Sequence, residues 1–208
     1  MTGTPPIDWT AVGALAAAGS AILAVAAIFV TLGGIWIQNR ATNLATALQL
    51  AWSLETRFQS GEFSQRRKKA AKALQYLTDC KRTQEAVEKV PQEIADVLNF
   101  FDTVGILTRK HAVDEQQIFT IFSGWLIPYW LVSEPIVKNN RTIDLSSWSE
   151  AEFLYTQFIR TKAKQQGRSV REQIVEEQSY TPIFLQAEID HGGEGEPATA
   201  PMTNVSNR

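Results

Sequence analysis

The sequence predicts an all-α protein, and three observations carry that expectation. From Trp9 to Asn39 there is no Asp, Glu, Lys or Arg, and most residues are Ala, Val, Ile, Leu or Gly. After it, apolar residues recur at helical spacing in one segment after another. Between those segments sit residues that start and stop helices, among them Ser64, Pro91, Asp114, Ser147 and Gly167.

Residues 9–39 read as a transmembrane helix. A bilayer core needs about 20 mostly apolar residues in a helix, and this stretch exceeds that. A secretory signal peptide would carry a basic flank and a short apolar core. Here no Lys or Arg precedes Arg40, so the segment is read as an uncleaved anchor. Trp9 and Trp36 bracket it as interface anchors, roughly 40 Å apart at about 1.5 Å per residue. Basic residues follow the segment and none precedes it: Arg40, Arg57, then Arg66, Arg67, Lys68 and Lys69. That bias places residues 1–8 outside and the remainder in the cytoplasm, in a single-pass protein of the plasma (inner) membrane. Two rows of small residues, Gly13, Ala17 and Ala21 beside Ala16, Ser20 and Ala24, offer a face for homo-oligomers. With no ionisable residue inside it, the segment lacks what a proton relay needs.

Residues 40–167 are expected to form a cytoplasmic helical bundle. Leu44, Ala47, Leu48, Ala51, Trp52, Leu54 and Phe58 keep helical spacing without Pro or Gly, so the membrane helix is expected to run on into the core. Ser64 is placed to cap a second helix reaching about Cys80, its apolar stripe being Ala70, Ala73, Leu74 and Leu77. Its basic start, Arg66, Arg67, Lys68, Lys69 and Lys72, is a candidate contact for anionic lipid headgroups, worth about 1 kcal/mol per residue near the surface. No aromatic residues interleave with these charges, so nucleic acid is not expected as a partner. Pro91 opens a third helix with Ile94, Val97, Leu98, Phe101, Val104 and Leu107 inward. Asp114 caps a fourth, in which Ile118, Ile121, Phe122, Trp125, Leu126, Tyr129 and Trp130 share a broad face. No formal charge lies between Glu115 and Glu134, but the run is short and diluted for a second membrane pass, and reads as core. Pro128 is expected to kink that helix and Pro135 to end or kink it again. Ser147-Trp148-Ser149-Glu150 fits a capping box that opens a fifth helix, closed by Gly167. Residues 168–190 are expected to be partly ordered, with a short extra helix and an apolar docking stretch from Tyr180 to Leu185. Residues 191–208 have almost nothing to bury and read as a disordered tail.

Within this pattern, Val97–Asp102 followed by Gly105-Ile106-Leu107, then Trp125–Trp130, Pro135-Ile136 and Arg141, resembles a family of small bacterial proteins classed as a domain of unknown function. The resemblance spans roughly Trp9 to Phe158. It implies one N-terminal membrane helix and a helical cytoplasmic domain, and brings no reaction with it.

The residues themselves offer little chemistry. The formal net charge is −2, with no basic excess of the nucleic-acid-binding kind. Residues 168–208 hold 3 basic and 7 acidic side chains, so the acidic balance lies at the C-terminal end. The single cysteine, Cys80, cannot form an intrachain disulfide, and reads as a structural thiol rather than a nucleophile. His111 and His191 stand apart, and no pair or cluster has metal-ligand spacing. No catalytic, cofactor or metal site is expected. Asp102, in an apolar helix beside Phe100 and Phe101, is the carboxylate that needs a partner, with Arg141 the candidate. The expected function is a membrane-anchored helical interaction, scaffold or sensor module serving unidentified protein partners. The alternative is an oligomeric effector that assembles through the small-residue face and perturbs the bilayer. That alternative predicts toxicity on overexpression that disappears with Ala17→Leu and Ala21→Leu.

Overall fold

Every regular element among the described residues is a helix. The computed structural model describes residues 38, 42, 44–79 and 90–191. The chain divides into two units, residues 1–46 and 47–208, and the bundle below is the second. The expected membrane segment lies outside the described residues apart from Gln38, as do Cys80 and the tail from residue 192. Among the described residues, no helix is long and apolar enough to cross a membrane.

Among the described residues, six helices build the bundle: α1 (residues 47–59 of this unit), α2 (Gly61–Asp79), α3 (Gln92–Arg109), α4 (Glu115–Asn140), α5 (Ser149–Gln165) and α6 (Val170–His191). Helix α3 packs against α2, α4 and α5, while α6 lies across α2, α4 and α5. The core is aromatic. Phe58 of α1 sits among Phe63, Phe100, Phe101, Phe122 and Trp125, with ring centroids 4.9–5.5 Å away. The broad face of α4, including Ile118, Phe122, Trp125, Leu126, Tyr129 and Trp130, is buried within this bundle.

Helix boundaries follow local chemistry. Asp114 caps α4, its carboxylate accepting from Gln117 N at 2.9 Å. Helix α3 ends at Arg109 with Lys110 in the cap position, and His111 then takes a left-handed conformation (φ 54°). In that turn Ala112 N donates to Leu107 O and His111 N to Thr108 O, the paired bonds that satisfy a helix's last carbonyls. Gly167 (φ +65°) does the same for α5, with Arg168 N bonded to Ala163 O.

Several expectations are corrected. Ser64 lies inside α2 and is buried; the cap is Ser60, whose Oγ accepts from Phe63 N and whose carbonyl accepts from Ser64 N. Pro135 does not end α4, which runs through both prolines to Asn140. Twelve buried residues hold that helix in the core, and such packing offsets the roughly 3 kcal/mol that an interior proline costs. Of the stripe expected to enter the core from α1, Ala51, Leu54 and Phe58 are buried, but Leu48 and Trp52 are exposed, Trp52 by 70%. Where a short extra helix and an apolar docking stretch were expected, one 22-residue helix, Val170–His191, packs on the bundle, with Phe184 and Leu185 of that stretch buried. Its start is a capping box in which Ser169 Oγ accepts from Glu172 N, while Ser169 N donates to Glu172 Oε2 at 2.8 Å.

Candidate functional site

The basic start of α2 divides into an outer and an inner part. Lys69 and Lys72 are exposed and Lys68 is half-buried. Arg66 points outward but is engaged by Glu62 (2.6 Å) and Asp96 (3.0 Å). The Glu62 hydrogen bond first, then the Asp96 charge, raise its pKa above the usual value. Arg67 is only 3% exposed, and so leaves the surface set. The periodicity explains why: Phe63, Arg67, Ala70, Ala71 and Leu74 share one helical face, and that face is inward.

Arg67 organises a buried polar site where α2, α4 and α6 meet. Its guanidinium carbon lies 4.4 Å from the centre of the Phe58 ring and 5.7 Å from that of Trp125. Such stacking suits the planar, weakly hydrated guanidinium. Its Nη1 is 3.7 Å from Glu188 Oε1. The Tyr129 hydroxyl shares one proton between the Arg67 carbonyl and Glu188 Oε2, each 3.1 Å away. Burial pushes the Tyr129 pKa well above its ordinary value; the Glu188 charge adds to the shift and Arg67 opposes it. Arg67 Nε and Nη1, Ser64 Oγ and Trp125 Nε1 are buried without hydrogen-bond partners among the described residues.

A second, partly buried pair ties α5 to α6. Lys162 Nζ reaches Glu177 Oε1 at 2.6 Å, and Gln173 Nε2 donates to the same oxygen at 2.7 Å. Glu177 and Gln173 are both buried. Neither ionic site was expected from the sequence. The inward phase of Arg67 was a readable signal, as was the Ser169–Glu172 capping box that announces α6. The partners Glu188, Glu177 and Lys162 carry no local mark.

Asp102 has a structural role. Its Oδ1 accepts from Glu150 N (3.0 Å) and Ala151 N (3.1 Å), so a carboxylate of α3 caps the start of α5. The expected box at Ser147–Glu150 does not form. Trp148 takes the cap position with φ 54° and no side-chain cap bond, and its indole donates to Asn99 Oδ1 at 2.8 Å. Ser147 Oγ instead bonds Asp144 and Asn140. Arg141 is not Asp102's partner: its Nη1 pairs with Glu152 at 2.6 Å and its Nε donates to Ser147 O.

A polar cavity of about 270 Å³ lies between α1, α2 and α3, lined by Arg57, Arg66, Asp96, Asn99 and Thr103 among others. Among the described residues, no three His, Cys, Asp or Glu side chains are grouped to hold a metal ion. The proposed association residues Gly13, Ala16, Ala17, Ser20, Ala21 and Ala24, and the anchors Trp9 and Trp36, lie outside the described residues.

A family described as a domain of unknown function (DUF4760) matches residues 14–166. The chain belongs to this family. The DUF4760 match begins inside the uncharged N-terminal stretch and ends one residue beyond α5. It therefore includes α1 to α5 and excludes α6. No curated protein and no solved structure matches the chain.

Proposed function

We propose that this DUF4760 protein is a membrane-anchored helical interaction module, with the bundle at the cytoplasmic face of the plasma (inner) membrane. One observation supports this above others. The family match starts at residue 14, within a stretch free of formal charge, and continues through the aromatic bundle. Most of the apolar stretch and the first five helices of the bundle thus fall within one family match, as expected of an anchor and the body it holds. The one-sided basic flank supports the orientation. Exposed Lys69 and Lys72 suit contact with anionic headgroups. Apolar side chains left in solvent, Trp52 on α1 and Ile143 and Leu145 in the loop before α5, supply surface for protein partners.

The test is made in native membranes. The chain should stay with the membrane pellet through alkaline carbonate extraction. A photo-crosslinker at Trp52 or Leu145 should capture discrete protein partners. Release by carbonate removes the anchor. A reporter fused after Arg208 that works only outside the cytoplasm, and is active, reverses the orientation. Absence of any crosslinked protein at these positions removes the interaction role.

A further inference from the structure

We infer that α6 is a displaceable occupant of a helix-binding groove formed by α2, α4 and α5, and that the groove's other ligand is an acidic amphipathic helix of a partner protein. This deepens the reading of the bundle as an interaction module and does not depend on its anchor.

Three observations converge. The DUF4760 unit ends at residue 166, so the helix filling the groove lies outside the family's shared body. The buried face of α6 is unusually polar for a core helix. Its fully buried positions are Gln173, Glu177, Thr181, Phe184, Leu185 and Glu188, four of them polar, with Ile174, Tyr180 and Ile189 partly buried beside them. The groove's own polar groups are also incompletely satisfied. Arg67 Nε and Nη1 lack hydrogen-bond partners, as does Gln173 Oε1 on α6. A permanent core excludes such groups or satisfies them fully, whereas an exchangeable interface resembles a polar protein–protein contact.

The contacts define what the groove reads. Two cations, Lys162 on α5 and Arg67 on α2, meet Glu177 and Glu188. These carboxylates are eleven residues apart, three helical turns, and so share one face. Between them Phe184 stacks edge-on against Tyr129, with centroids 5.2 Å apart. A competing helix therefore needs two carboxylates three turns apart, with a bulky apolar residue one turn before the second. The hinge is short: Gln166, Gly167 in a left-handed conformation, and Arg168 separate the end of α5 from the Ser169 cap.

A fluorescent peptide of residues 168–191 is the probe, added to the full chain in detergent micelles. Ser169→Ala with Glu172→Ala removes the exposed capping box without touching the groove. It should raise peptide affinity about tenfold, because a larger fraction of grooves stands open. A peptide carrying Glu177→Gln and Glu188→Gln should bind that chain at least tenfold more weakly than the natural peptide. Hydrogen exchange on the unaltered chain, which needs no variant, should show α6 amides opening well before those of α3. Equal binding of the two peptides, no binding to a folded cap variant, or α6 exchanging only with α3 would each overturn the inference. Partners crosslinked at Trp52 or Leu145 would survive that outcome, so the wider interaction reading fails or stands separately.

Discussion

The two sides of α5 are joined to the bundle by different physics. On one side α3 and α5 approach so closely that a Cβ on Gly105 would meet the Glu150 carbonyl, its carbon 2.7 Å away. The first amides of α5 are satisfied by Asp102 across that contact. Arg109 closes its rim, pairing with Glu150 at 2.9 Å and lying 4.4 Å over the Phe153 ring. On the other side α6 adds two ion pairs, Lys162 to Glu177 and, through α2, Arg67 to Glu188, to the apolar contacts of Phe184 and Leu185. Backbone contact is rigid because peptide groups have nowhere to move. Buried ion pairs carry a desolvation penalty that nearly cancels their attraction, and they are costly mainly when halved. The first joint suits a permanent scaffold and the second a part that moves.

The largest expected effect is on the polar joint. Arg67→Met leaves Glu188 buried without its cation and should destabilise the bundle by about 3 kcal/mol in urea unfolding followed by tryptophan fluorescence. Adding Glu188→Leu should recover most of that loss. If the double variant stays as weak as the single, the ion pair is not what holds α6. Next comes the close joint. Gly105→Ala should cost about 2 kcal/mol through overpacking against the Glu150 backbone, and a second-site change on α6 should not rescue it. Asp102→Ala should cost about 1.5 kcal/mol, the scale of a lost helix cap, and Asp102→Asn clearly less because the amide oxygen still accepts. Equal losses for the two would mean that charge, and not the cap, is what matters.

The smallest effect is a pH dependence confined to α6. Hydrogen bonds from Ser169 N and Oγ lower the Glu172 pKa below its ordinary 4.5. A depressed carboxylate contributes stability above its unfolded pKa, and that stability fades as pH falls through the folded value. Acidification below pH 4.5 should therefore speed hydrogen exchange at the start of α6 before it affects α3. Glu172→Gln should abolish that difference. Loss of protection in α3 and α6 together would erase the contrast between the two joints.

Much of the fold is legible residue by residue. The stripes of α3 and α4, the Asp114 cap and the Gly167 stop all follow from 3.6-residue periodicity and local backbone chemistry. Tertiary partners are not legible in the same way. Asp102 reads as a carboxylate in need of a cation, yet it satisfies two amides 48 and 49 residues away. Arg67 sits in a run of four basic side chains whose composition suggests solvent, while its phase along the helix directs it into an aromatic core. Leu48 and Trp52 keep the spacing of a core stripe and face solvent, because spacing reports which residues share a face and not whether anything covers it.

By itself the sequence determined the helical class of the described residues, the uncharged stretch at residues 9–39, and the inward faces of α3 and α4. These depend on composition and on spacing within one helix. Only the tertiary structure decided that α6 belongs to the bundle, that Arg67 is buried against Phe58, and that Asp102 is a cap. Each of those needs groups far apart in the chain to meet at hydrogen-bond or stacking distance, and no local rule of spacing encodes which groups will meet.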